Sequence, residues 1–568
     1  MLERGLRKMP EQQYLTADIE TYDGLEGSKF AVGCIYNGKT VYTFTDKTEF
    51  IETLLRYEYP HYKIFFHNAM FDLRFILQYC LEKRIKFPSP IIRGGVYLLQ
   101  DIPSVKEGKL TRFQDSYALI PIALGNFSKV FSLPIEKVKM AFDGSDTLDQ
   151  YKQRCTNDVK ILYYGLEKFF SLFETAKYSI SLSQSAMKDF IRDSPNFKFT
   201  TYREGKEIIV EEQLEQIGRM GYHGGRNECF NYNNFDSVYY YDINSLYPFV
   251  MRNNLYPVAI HKATGKEALK EKLYYVNAIL EIPYMYIPPL PIKHDKLYFT
   301  YGKVSGWFYS PEFELIKDLA QNIEIKEAYT FTPSMLFKDF ISKYWKIRQQ
   351  YQQKGNELQK VVKLYLNSLY GKFGQKREIE NRTYLYDIEE GCEELADGIY
   401  TKTTVEYSKA TFINPYISGF VTSYARATLW KYLNDASIYC DTDSVVTTEQ
   451  IKNMGKELGQ FKLEGKGQFK AFAPKTYFFL TDKGEVKNKS KGVYREKISK
   501  GKTPDEFIKD IKETEMRIFA KPKESIRRYG SFIAIKNVKK HLNLINNKRI
   551  ILDDLNTKPY TYGEIICR

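Results

Sequence analysis

A chain of 568 residues is too long for a single core, and 43% hydrophobic residues suffice for several packed domains. No stretch is long and apolar enough to span a membrane, and the opening residues lack the apolar centre of a secretory signal, so a soluble intracellular protein is expected. Seven cysteines without a CxxC pair exclude a disulfide framework and a Cys-rich zinc site, while a net charge of +14 with 47 Tyr and 38 Phe offers phosphate attraction and stacking surfaces, although solubility alone would also explain the charge.

Residues 14–21, YLTADIET, read as a strand whose alternation sets Asp18 and Glu20 on one face. Residues 63–75, KIFFHNAMFDLRF, read as a strand running into a helix and carry His67, Asn68 and Asp72. Asn68 alone would serve as a helix cap. Residues 155–162 show a helical pattern, with Asp158 beside the apolar Val159, Ile161 and Leu162. Four acids from three separated segments suit a nuclease that clamps two cations around a phosphodiester.

In this order and spacing the segments resemble the three motifs of DEDD-type 3′→5′ proofreading exonucleases, over roughly residues 10–180. The resemblance implies an RNase H-like domain with Asp18, Glu20, Asp72 and Asp158 as catalytic metal ligands. It also implies Thr21, Phe65, His67, Asn68, Phe71 and Phe75 as contacts to a frayed single strand, where ring stacking tolerates any base. One position departs from the family. Arg154 stands where a Tyr usually orients the attacking water, and Tyr151 lies one turn earlier. Either Tyr151 substitutes or the water is oriented differently. The leaving-group lysine of the phage subgroup is matched nearest by Lys139, with Lys137 the other candidate and Asp143 a further acid beside them. Both lysines read equally well as solvated surface charge.

Downstream, GYHGGRNECF contains Tyr222, Gly224, Gly225 and Arg226. Paired glycines permit close backbone approach to a phosphate that Arg226 would contact, although a simple turn has the same composition. SVYYYDINSLYPFV follows at 237–250, a strand ending in Asp242 and a turn into a helix. Lys363, Asn367 and Tyr370 in KVVKLYLNSLYGKFG fall on one helix face, and Arg348 lies on a preceding helix expected to run antiparallel. TSYAR, with Thr422 and Arg426, YCDTDS, with Asp441 and Asp443, and KTY, with Lys475 and Tyr477, complete the series. YCDTDS by itself is either a polar hairpin tip or a pair of carboxylates awaiting a cation.

Taken in order, DINSLYP, KLYLNSLYGKF, TSYAR, YCDTDS and KTY resemble family B DNA polymerases over essentially the whole chain. The glycine pair is then similar to the Tyr-x-Gly-Gly element that couples the template strand to both active sites. Asp242, Asp443, Asp441 and the carbonyl of Ile243 are implied as metal ligands in a palm, and Tyr247 as the ring under the nucleotide sugar that excludes a 2′-hydroxyl. Arg348, Lys363, Asn367 and Tyr370 are implied as nucleotide contacts, and Thr422, Arg426, Lys475 and Tyr477 as DNA contacts.

Two long insertions are similar in place and size to those of protein-primed polymerases of small phages and linear plasmids, although ordinary surface excursions would look alike. The expected architecture is an α/β and α+β multidomain chain: exonuclease 1–180, palm 181–252 and 411–524, first terminal-protein-region insertion 253–338, fingers 339–374, second insertion 375–410, and a basic thumb 525–568. The function implied is DNA-directed, protein-primed, strand-displacing synthesis with proofreading. It would use two magnesium ions per site about 3.5–4 Å apart, with manganese as a substitute. Implied partners are primer-template DNA, dNTPs, a terminal protein and a single-stranded DNA-binding protein, met by a monomer in the cytoplasm of an infected bacterium. A nucleic-acid-primed repair or replicative polymerase would share the compact form, and a catalytically silent DNA-binding relic would have lost carboxylates that this chain retains.

Overall fold

The structure, a computed structural model, describes residues 13–567 except 25–26, 94–95, 142–144, 195–200, 204–205, 209–211, 397, 409, 411, 494, 521, 533–534 and 540–547. Asp143 therefore lies outside the described residues. Among the described residues no helix is long and apolar enough to cross a membrane.

The first domain contains strands β1 (Gln13–Gly24), β2 (Gly27–Tyr36), β3 (Val41–Phe44), β4 (Tyr62–Phe66), β5 (Phe87–Pro88), β6 (Ile91–Arg93), β7 (Val96–Pro103) and β8 (Leu110–Asp115). Its helices are α1 (Lys47–Leu54), α2 (Asp72–Glu82), α3 (Phe127–Phe131) and α4 (Leu148–Leu172). Seven strands form one sheet in the order β3-β2-β1-β4-β8-β7-β6, with β1 parallel to β4 and β4 parallel to β8. Period-two alternation explains the two faces of β1. Leu15, Ala17 and Ile19 enter one apolar core, while the hydroxyl of Thr16 donates to the Val159 carbonyl of α4 at 2.7 Å. Asp18 and Glu20 share the parity of Thr16, so they face α4. A capping box between Thr147 and Gln150 starts α4, and Cys155, Asp158, Val159, Leu162 and Leu166 recur on its buried face at helical spacing.

The palm is a six-stranded antiparallel sheet in the order Asn227–Cys229, Ser437–Asp441, Ser444–Thr447, Phe235–Ile243, Phe461–Ala473, Thr476–Thr481. The helix Pro415–Trp430, buried along most of its length, packs in the core beneath it. The first insertion is a four-stranded antiparallel sheet with its own apolar core around Val276, Leu280, Val304 and Phe313. Two finger helices, Lys338–Gln353 and Leu358–Ser368, pack together across a turn in which Gly355 takes φ +63°, as the expected antiparallel pair requires.

In the second insertion, Glu378–Leu385 pairs with Ile399–Tyr407, and β5 of the first domain adds to the edge of the same sheet through Tyr384 and Phe87. Its Glu393 meets Lys523 and Arg527 of the helix Pro522–Tyr529 at 2.8 and 2.5 Å. Arg74 of α2 closes the circle by donating to the carbonyls of Phe532 and Ala520. Within the expected basic thumb, one cation is turned inward. Arg549 is buried between Glu228, Phe230 and Tyr286, and the residues after it return to the palm and first insertion, where Tyr560 packs on Tyr298. Its guanidinium is held by carboxylate and rings instead of facing a duplex.

Candidate active sites

The palm site is built by a tight turn. Between Ser437–Asp441 and Ser444–Thr447, Thr442 takes φ +67° and its N–H donates to the Arg226 carbonyl at 2.7 Å. On the neighbouring strand Asp242 is in register with Ser444, and the Ile243 N–H donates to the Asp443 carbonyl at 2.7 Å. Asp242 and Asp443, some two hundred residues apart in sequence, thus become neighbours. Burial and the Asp443 charge push Asp242 up to about 7, and burial followed by the Asp441 charge raises Asp443. Lys363 from the fingers opposes both shifts. Two desolvated carboxylates in mutual repulsion fit a divalent cation, which would relieve both costs.

Asp441 stands apart from that pair. Its oxygens are taken by Lys475 at 3.3 Å and Lys489 at 3.2 Å, and although burial raises it, these two cations carry it below the usual carboxylate value. Both oxygens are thus already compensated by protein cations, unlike the expectation of a third metal ligand. Lys489 was not singled out in the sequence; the lysine run 487–491 after a strand was the available signal. With Tyr240, Asp242, Glu464 and Tyr477 it lines a cleft of about 600 Å³.

Beside this cleft Tyr247 and Tyr370 are stacked, with centroids 4.4 Å apart and planes 16° apart. Arg348 donates to the Ser245 hydroxyl at 2.9 Å and lies over Trp345, while Lys363 is exposed and Asn367 half-buried on the same finger helix. Gly225 supports the catalytic turn, because a Cβ there would stand 2.8 Å from the Thr442 side chain.

Several expected DNA contacts are instead internal supports. Arg226 is 1% exposed, pairs with Glu228 at 2.5 Å and stacks on Phe299. Arg426 is 2% exposed and pairs with Glu312, and its guanidinium also binds the carbonyls of His223 and Gly224. Thr422 is buried, its hydroxyl donating to Gly419 within its own helix. Tyr477 is buried with its hydroxyl 3.1 Å from that of Tyr240, leaving the exposed Lys475 as the accessible member of KTY.

The second site lies in a cleft of about 380 Å³ lined by Asp18, Glu20, Thr21, His67, Asn68, Phe71, Asp72, Lys137, Arg154 and Asp158. Ligand oxygens of Asp18, Glu20 and Asp158 all lie within 4.8 Å of one another. Asp72 joins them in the cleft and accepts the Ile19 N–H at 3.0 Å. Burial first, then neighbouring acids, holds Asp18 well above the ordinary range, and burial likewise raises Asp72, Glu20 and Asp158. Asp18 Oδ2 and Asp158 Oδ1 are buried with no hydrogen-bond partner, so this cluster also fits a divalent cation.

Of the two candidate lysines, Lys137 bonds Asp158, whereas Lys139 is exposed and outside the cleft lining. Arg154 binds Glu20 at 2.5 Å, and Tyr151 is buried between α4 and β2 with its ring edge on Tyr22. His67 is held by Ser116 and the Ile122 carbonyl, and burial pushes it down to about 4, so it is neutral at pH 7. Phe65 and Phe75 are 1% and 3% exposed, within the core. Exposing either ring to a strand would forfeit about 1.5–3 kcal/mol, as much as one stacked base returns. Asp115, also missed in the sequence, accepts the Asn68 and Tyr117 N–H groups and so fixes the left-handed turn at Asn68.

The family model for DNA polymerase type B, organellar and viral, matches residues 53–154 and 143–454. A probable DNA polymerase of Neurospora intermedia is 24% identical over 576 residues, covering 84% of this chain and 58% of that protein. The DNA-directed DNA polymerase of Enterobacteria phage PRD1 is 27% identical over 520 residues, covering 86% and 87%. Among solved structures, Phi29 DNA polymerase complexed with primer-template DNA and incoming nucleotides is similar with a TM-score of 0.76 at 20% identity, covering 94% of this chain and 100% of that one.

Proposed function

The chain belongs to the type B DNA polymerases, organellar and viral, and from that premise we propose a DNA-directed DNA polymerase that starts on a primer-protein hydroxyl, displaces the strand ahead and trims 3′ ends in a second site. The observation that carries the synthetic reading is the union of Asp242 and Asp443 beneath Lys363.

Asp242 and Asp443 would hold a divalent cation, which would supply charge neutralisation for the attacking hydroxyl and the departing pyrophosphate. Around it, Lys363 and Arg348 offer fixed positive charge to the triphosphate. The stacked Tyr247 and Tyr370 form the wall against the sugar and base. Lys475 and Lys489, held by Asp441, present cations to the primer phosphates. The contact circle of second insertion, exonuclease domain and thumb supports strand displacement, since a closed collar admits one strand and strips the other. The first insertion, with a core of its own, is the element we assign to the primer protein.

The trimming reading rests on the Asp18, Glu20, Asp72 and Asp158 cleft. Its pairing with the palm is tested by two substitutions. Asp443→Ala is expected to remove nucleotide incorporation while leaving 3′ degradation, and Asp18→Ala to do the reverse. Loss of both activities in both variants would refute a two-site enzyme. Protein priming is tested by incubating the chain with labelled dATP and a candidate terminal protein. Covalent labelling of that protein supports the reading, and its absence favours nucleic-acid priming.

A further inference from the structure

Four carboxylates crowd the trimming cleft, and the protein itself answers two of them. Lys137 bonds Asp158, and Arg154 bonds Glu20. The Arg154 contact is made by Nε at 2.5 Å, while Nη1 donates to the Val138 carbonyl at 3.3 Å. The Arg154 side chain is 14% exposed and that of Glu20 10%, so the pair is shielded from most of the screening that weakens surface pairs. Asp18 Oδ2 and Asp158 Oδ1, in contrast, are buried and unpartnered. The cluster therefore offers two kinds of oxygen: some free to take a cation directly, and others already claimed by Lys137 on Asp158 and Arg154 on Glu20.

Resting on the trimming reading of this cleft, we propose that Arg154 is a resident cation that competes with a divalent ion for Glu20 and so sets how tightly the cleft loads metal. An ion using the Glu20 oxygen that Arg154 now holds must displace the guanidinium or share the carboxylate with it. Its position one helical turn before Asp158 on α4 aims it at the carboxylates, and the bond to the Val138 carbonyl gives the side chain a second anchor. Arg154 is a positioning residue on this account.

Mn²⁺ binding to the full chain is the test, read as free-ion signal by electron paramagnetic resonance. The background carries Asp242→Asn and Asp443→Asn to silence the palm carboxylates. Arg154→Met is expected to tighten Mn²⁺ binding about tenfold. Adding Glu20→Gln is expected to erase that gain. Unchanged or weaker binding in Arg154→Met overturns the proposal, as does a gain that persists with Glu20→Gln. If the Met variant does not fold by circular dichroism, Arg154→Gln removes the charge and keeps a polar side chain of intermediate length. Tightening then supports competition, and none overturns it. Because the readout is metal occupancy, a chain that degraded no DNA would fail the trimming reading while leaving this measurement intact.

Discussion

Glu312 grips Arg426 through two hydrogen bonds, 2.7 Å to Nε and 2.6 Å to Nη2, inside the junction of palm helix and first insertion. The same guanidinium holds the His223 and Gly224 carbonyls just before the strand that supports the catalytic turn. Arg426→Met would leave Glu312 as a buried, uncompensated charge, a loss of about 3–5 kcal/mol. A fall of the thermal midpoint by calorimetry is expected. An unaltered midpoint with weakened DNA binding would instead restore Arg426 to the DNA surface.

Asp242 predicts a pH dependence in the metal-free protein. Its folded value near 7 lies above an unfolded value of about 4, so the folded state binds the extra proton between them. Stability therefore falls as pH rises from about 4 to 7, and is recovered on acidification. In EDTA, Asp242→Asn should melt higher than the parent chain at pH 7.5, with the gap closing below pH 5. Added Mg²⁺ should raise the parent midpoint more than the variant's, because both keep the carboxylate cleft of the first domain but only the parent keeps Asp242. Equal pH profiles for the two proteins would contradict the repulsion described above.

Tyr247 predicts sugar selectivity. Its ring lies flat against Tyr370, so Tyr247→Val opens space without removing any carboxylate. Discrimination of dNTP over rNTP in kcat/KM should fall by about 2 kcal/mol, roughly thirtyfold. Equal discrimination in single-nucleotide extension would place the steric wall elsewhere.

Glu393 predicts processivity. It is exposed and meets Lys523 and Arg527 across the collar, so Glu393→Lys should leave the thermal midpoint where it is. Product length on a primed circular single strand should shorten, most at low salt where repulsion is least screened. Full-length products at every salt concentration would remove these pairs from the account of the collar.

Strand parity made much of the trimming site legible. Asp18 and Glu20 share a face by alternation alone, and Asp158 sits on the buried stripe of a helix whose cap residue, Thr147, is visible in the sequence. Asp242 and Asp443 were legible only through motif order, because no local rule joins acids so distant. The arginines were misread because their partners are remote or unobtrusive: Glu312 lies far from Arg426, and Glu228, two residues after Arg226, sits inside a short strand that sequence pattern alone does not mark as buried. Lys137 and Lys139 sit in a segment without regular structure, where parity gives no choice between them. Arg549 resembled its solvated neighbours, and only the carboxylate and rings around it distinguish it.

The short strand Phe87–Pro88 belongs in sequence to the first domain yet completes the sheet of the second insertion. Excising the first domain would strip that cover and leave Thr383 and Tyr384 with unpaired backbone groups along a bare β-edge, an invitation to self-association. The first domain is therefore not detachable here: an engineered chain lacking it would need a surrogate strand before it could stay dispersed.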